Sequence, residues 1–242
     1  MLRTILPQPV KLALRLARRF LADVRSGHRR RFAGPPEKGP GSDAPFVPAV
    51  RVTQPVLNAT TELSRINKVH NMRIAVASIE EVVVRPGEIF SFYHTVGRPS
   101  RAKGFREGIN IVNGSVVEDF GGGLCQLSSI IYHASLCAGL QIVERTNHSV
   151  DLYHDRPRYT PLGADATVFY GYKDLRIGND TAHSVRFRFE VGETSLTCIV
   201  ESVGDLREHD VTFETVHEDE RGFRVVSKRG GEPVAVSTYR KG

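Results

Sequence analysis

Hydrophobic residues recur along this chain with two periods, and the change from one to the other predicts its elements. Over residues 10–25, Leu12, Leu16, Phe20, Leu21 and Val24 gather on one side of a helix turning at ~100° per residue, while Lys11, Arg15, Arg18 and Arg19 gather on another. That pattern predicts an amphipathic basic helix. From 61 to 77, Leu63, Ile66, Val69, Ile74 and Ala77 recur at three-to-five-residue steps, with Asn58, Thr60 and Thr61 available as caps and Glu62 in the first turn. A second helix is expected there. A third is expected over 124–138, where Leu127, Ile131, Ala134, Leu136 and Ala138 supply a broad apolar face, and Gly139 stands where a C′ glycine would end it.

Elsewhere the period shortens to two. Val82-Val83-Val84 and Ile89-Phe90-Ser91-Phe92 flank the turn Arg85-Pro86-Gly87-Glu88, and residues 109–112 and 115–117 flank the hairpin dipeptide Asn113-Gly114. Residues 140–145, 166–170, 185–191, 195–200, 211–214 and 223–226 alternate or run apolar as strands do. No internal repeat is visible. The expected class is α+β, with two main helices packed against a largely antiparallel sheet and a separate basic N-terminal helix. Residues 33–48 contain five prolines and too little apolar surface to fold, which marks a linker between a leader (1–32) and the body. In the body, a domain over 49–181 is expected to carry a C-terminal β extension (182–242) packed on it.

Charge refines this division. The net charge is +6, but residues 1–33 hold nine Lys or Arg against the single acid Asp23, so the remainder sums to −2. A nucleic-acid partner would need a basic face on the folded body, so none is expected. Arginine at nearly every turn of 10–25 interrupts any export-signal core, and no apolar run reaches the ~18 residues of a membrane span. The chain is therefore expected to be cytoplasmic or peripheral to the cytoplasmic membrane. The basic helix either lies in an anionic membrane surface or is solvated or packed on the domain.

Three cysteines, none in a Cys-x-x-Cys pair, leave at least one free thiol, and Cys137 and Cys198 sit on apolar patterns as core residues do. His70, His94, His133 and His154 are scattered without metal-ligand spacing, so no metal and no cofactor are expected. Cys125 differs, because Gly121, Gly122 and Gly123 precede it and place it in the first turn of the third helix. Unpaired backbone N–H groups and the helix dipole favour a thiolate there. A thiol nucleophile needs a base and a group that orients the base, and His148 and Asp165 are the candidates, arriving from the neighbouring strands. This order is similar to that of papain-like and NlpC/P60 peptidases. Gly121, Gly122, Gly123, Gln126, Ser128 and Arg145 are the candidate substrate-binding or oxyanion groups, although Glu144-Arg145 also reads as a structural ion pair.

The ordered motifs His70-Asn71-Met72-Arg73, Pro86-Gly87-Glu88-Ile89-Phe90-Ser91-Phe92, Gly121-Gly122-Gly123-Leu124-Cys125-Gln126-Leu127-Ser128, Glu144-Arg145-Thr146-Asn147-His148-Ser149, Gly163-Ala164-Asp165-Ala166-Thr167-Val168 and Asp174-Leu175-Arg176-Ile177-Gly178-Asn179 resemble the VanW family over about 58–181. The resemblance implies a bacterial cell-envelope protein linked to glycopeptide resistance. It also implies an activity like that of L,D-transpeptidases, in which Cys125 attacks a peptidoglycan stem peptide or its precursor. A non-catalytic module that recognises a cell-wall precursor or a protein partner through the same groove is the alternative expectation.

Overall fold

The computed structural model describes residues 7–36, 45–56, 61–112, 115–151 and 157–241. In chain order the elements are α1 (Gln8–Arg25), β1 (Val47–Pro55), α2 (Glu62–Ile79), β2 (Ile89–Ser91), α3 (Phe92–Val96), β3 (Glu107–Val112), β4 (Ser115–Phe120), α4 (Leu124–Cys137), β5 (Gln141–Glu144), β6 (Val150–Asp151), β7 (Arg176–Gly178), β8 (Val185–Val191), β9 (Ser195–Ser202), β10 (Val211–Glu218), β11 (Gly222–Arg229) and β12 (Glu232–Lys241). The class is α+β. Among the described residues the strands form four sheets, ordered β1-β9-β8, β10-β11-β12-β6, β2-β7-β5 and β3-β4, and every strand pairing there is antiparallel except β12 with β6.

At the centre lies α4, whose residues from Gln126 to Tyr132 are all buried. A helix that is apolar around most of its circumference belongs inside, and α4 packs against β1, β9, β5 and α2. Its end follows its sequence. Gly139 takes a φ of 73°, its N–H donates to Leu136 O at 3.1 Å, and the Leu140 N–H donates to Ser135 O at 3.0 Å, the paired bonds of a Schellman motif. The second long helix, α2, starts at Thr61, whose hydroxyl accepts the Ser64 N–H at 3.1 Å. It buries Val69, Met72, Val76 and Ile79, spaced three or four residues apart, and packs on β8 and α4.

Several local expectations give way. Residues 166–170 form no strand: serines of α4 take the backbone of Ala166, whose N–H donates to Ser129 Oγ at 2.9 Å and whose carbonyl accepts Ser128 Oγ at 2.7 Å, while the Thr167 N–H donates to Thr146 O at 2.7 Å. The chain then turns back, with Phe169 and Lys173 bonded to each other. Val83 and Val84 make isolated bridges to Gly34 and Val185 instead of a strand. Phe92 opens α3, since Ser91 Oγ caps it by accepting the His94 N–H at 3.2 Å. Asn113-Gly114 lies outside the described residues. Of the 33–48 segment, Ala33 is buried with its N–H on Ile89 O and Val47 belongs to β1, while residues 37–44 lie outside the described residues.

The basic helix α1 is docked on the body. Asp23 is buried and receives Arg176 Nη1 at 2.6 Å and Nη2 at 2.9 Å, while Arg19 pairs with Glu144 at 2.7 Å. Leu12 and Leu16 rest over Gly171.

Candidate functional site

The site begins with the glycines. Gly123 is the N-cap residue of α4 at φ 97°, a left-handed conformation that a Cβ disfavours. A Cβ built there would come within 2.9 Å of Lys68 Cγ, 3.1 Å of Lys68 O and 3.2 Å of Met72 Cγ, so α2 lies directly across the turn. The fully buried Asn71 of α2 fastens it from below: its Nδ2 donates to Gly122 O at 3.2 Å and Arg106 O at 3.0 Å, and its Oδ1 accepts the Arg106 N–H at 2.8 Å. Gly123→Ala is expected to destabilise the protein by roughly 1–3 kcal/mol from backbone strain and crowding together, readable as a lower denaturation midpoint.

That turn places Cys125, a half-buried residue, in the first turn of α4. The sulfur lies 3.6 Å from Thr167 Oγ1 and 3.7 Å from Val168 O. His148, from the segment after β5, acts on the sulfur electrostatically and lowers its pKa. The other side of the imidazole is fixed, because His148 Nδ1 lies 2.6 Å from Asp165 Oδ2, which also accepts the His148 backbone N–H at 2.7 Å. With Nδ1 committed to the carboxylate, Nε2 is the ring nitrogen left for sulfur.

Asp165 is buried and surrounded by donors. Its Oδ1 accepts Arg145 Nη2 at 3.0 Å and the Tyr239 hydroxyl at 2.5 Å. Arg145 is anchored in turn, with Nε on Asp165 O at 2.7 Å, Nη1 on Ser237 Oγ at 2.6 Å and the guanidinium 4.7 Å from the Tyr132 ring centroid. Electrostatics follow from this cage. Burial opposes ionisation of both Cys125 and Asp165, yet the adjacent His148 outweighs it and lowers both pKa values, with Arg145 helping at Asp165. Burial likewise opposes a charged His148, but the bond to Asp165 and the contact with Cys125 outweigh it and raise its pKa. The arrangement therefore favours a thiolate facing an imidazolium. Cys198 is sealed in the core, and burial pushes the Cys137 thiol up to about 11.

The other expected site residues are mostly occupied within the protein. Gln126 is buried and its Nε2 donates to Pro55 O at 2.8 Å, and Ser128 donates to Ala166 O and Cys125 O. Arg145 positions Asp165 with donors that a substrate carboxylate would need. Glu144 and Arg145 do not pair with each other, because Glu144 faces Arg19 and Arg176 while Arg145 faces Asp165. The Gln126 and Leu127 amides both donate to Gly123 O, and the Cys125 N–H has no acceptor among the described residues. Sequence reasoning missed Tyr239, Ser129 and Asn71; the alternation of β12 and the His70-Asn71-Met72-Arg73 motif were the available signals. A groove beside α1, lined by Phe20, Tyr93, Arg29 and Lys173, includes none of the residues that meet Cys125. Among the described residues no group of His, Cys, Asp or Glu is arranged to hold a metal ion, and no helix is long and apolar enough to cross a membrane.

Comparison with known proteins agrees with this reading of the motifs. The family model described as VanW like protein matches residues 67–200. The chain is 40% identical over 119 residues to the uncharacterized protein YoaR of Bacillus subtilis (strain 168), covering 49% of this chain and 38% of that one. It is 32% identical over 115 residues to the vancomycin B-type resistance protein VanW of Enterococcus faecalis (strain ATCC 700802 / V583), covering 48% of this chain and 42% of that one. The match thus spans about two fifths of each relative's length. No solved structure matches the chain. The matched segment contains α4, the glycine turn before it, His148 and Asp165, and the chain belongs to the VanW family.

Proposed function

We propose that this chain is a cell-envelope protein in which Cys125, His148 and Asp165 carry out acyl transfer on peptidoglycan stem peptides, in the manner of an L,D-transpeptidase, with a link to glycopeptide resistance like that named for its Enterococcus relative. The observation that carries the reading is the 2.6 Å contact between His148 and Asp165, which leaves the far edge of the imidazole for a cysteine at a helix start. In this scheme the Cys125 thiolate attacks a stem-peptide carbonyl carbon, and the Cys125 N–H receives the developing oxyanion. The tetrahedral species collapses to a thioester as the imidazolium of His148 protonates the departing amine. An acceptor amine then attacks the thioester, His148 takes its proton, and the thiolate leaves. A new amide has replaced the old one, with no net redox change. Asp165 remains ionised throughout, and Arg145 and Tyr239 hold it in place.

Alkylation by iodoacetamide as a function of pH tests the nucleophile. Cys125 is expected to react well below the ~8.5 of a free thiol, and His148→Ala is expected to return its profile to that range. A wild-type profile matching a free thiol would favour the non-catalytic binding module instead.

A further inference from the structure

The docking of α1 uses one side of the helix and leaves another bare. Asp23 and Arg19 face the domain through their ion pairs, and Leu12 and Leu16 lie over Gly171. At ~100° per residue, Val10, Leu14, Leu21 and Val24 fall on a separate stripe, with Phe20 at its edge. These side chains are 42%, 48%, 52%, 51% and 51% exposed, respectively, and the stripe runs about 21 Å along the helix at 1.5 Å per residue. An apolar band of this length on a helix already packed by its other side serves no purpose within the described chain.

The charges beside the stripe indicate what covers it. Arg18 and Arg25 border it and Lys11 follows on the same flank, while Arg29 and Arg30 continue from the helix end. Among the described residues none of these five cations has an acidic partner, and the one acid of the helix, Asp23, is taken by Arg176. Leucine, valine and phenylalanine in a row, flanked by cations that have no acidic partner among the described residues, match the boundary between acyl chains and anionic headgroups.

We infer that the exposed stripe of α1 docks on an anionic lipid bilayer, with Val10, Leu14, Phe20, Leu21 and Val24 entering the acyl boundary and Arg18 and Arg25 meeting headgroup phosphates. The occupied side of α1 gives this docking a consequence. Because Arg176 and Glu144 hold the helix against the domain, binding brings the domain itself to the bilayer surface, where a helix on a free tether would leave it at variable distance.

Vesicle flotation of the full chain tests this. Binding to phosphatidylglycerol-containing vesicles is expected to be at least about tenfold tighter than to phosphatidylcholine alone, and to weaken with salt. Two variants separate the contributions: Leu14→Gln with Leu21→Gln removes apolar side chains, and Arg18→Ala with Arg25→Ala removes charge. Each pair is expected to lose binding at least about tenfold with a nearly unchanged melting midpoint, since all four altered residues are exposed. Equal binding to both vesicle types, binding to neither, or concentration-dependent self-association that the Leu14 and Leu21 variants abolish without any vesicle binding would overturn the inference. Cys125→Ala is expected to float like the wild type, so this test and that of the acyl-transfer reading fail independently.

Discussion

Replacing Cys125 with alanine is expected to abolish crosslink formation, by about three orders of magnitude or more, while leaving the fold standing. A covalent route has no substitute for its nucleophile, and among the described residues Cys137 and Cys198 are too deeply buried to stand in. The structural cost is small because only one sulfur atom is removed and its polar contacts, at 3.6 and 3.7 Å, are long; a loss of about 1 kcal/mol is expected. Chromatography of the muropeptides formed by wild type and variant, beside thermal melts of both, reads the two effects separately. Unchanged crosslinking would remove Cys125 from the chemistry.

Asp165→Ala is expected to have the opposite balance, with a large loss of stability as well as of activity. The change leaves Arg145, whose side chain is 6% exposed, without its carboxylate, and it removes the acceptor of the buried Tyr239 hydroxyl and of His148. Breaking a buried pair from one side costs about 3–5 kcal/mol, so the expected denaturation midpoint falls far below that of Cys125→Ala. Asp165→Asn keeps the shape and removes the charge, and is expected to shift Cys125 alkylation to higher pH because the imidazolium is no longer favoured. The same carboxylate gives the fold an acid limb. Its folded pKa lies below its unfolded value of ~3.9, so its contribution is complete above that value and is lost as pH falls through the lower folded one. Asp165→Asn is therefore expected to be less stable near neutrality and to lose less on acidification.

The contrast between these variants reflects how much of the site the residues themselves announced. The third helix was legible at both ends, because three glycines can enter a turn that other residues resist and Gly139 can close a helix with two backbone bonds. The convergence of Cys125, His148 and Asp165 was also an expectation from sequence, but the route was different. His148 and Asp165 are expected beside two neighbouring strands, whereas residues 166–170 form no strand: the Ser128 and Ser129 hydroxyls hold Ala166 in place of a sheet ladder, and the Thr167 N–H bonds Thr146 O. Alternating apolar residues do not disclose that substitution, since buried Ala166 and Val168 look alike in a strand and in a segment pinned to a helix. Nor could local pattern reveal that Tyr239, in the last strand, donates to a carboxylate 74 positions earlier. Arg145 was read as a possible clamp for substrate, and only its three-dimensional neighbours assign its donors to Asp165, Gly163 and Ser237. The amphipathicity of α1 was plain, while the face it packs was not, because Asp23 and Arg19 reach the domain through charge.

Intact-mass analysis of the protein mixed with a stem peptide and quenched in acid tests the central claim most directly. The account predicts a covalent adduct of the acyl fragment on Cys125, formed at neutral pH, discharged by an added amine and absent from both Cys125→Ala and His148→Ala. A wild-type protein that consumes donor and acceptor peptides with no thioester ever detectable, or one whose adduct forms equally well without His148, would contradict it.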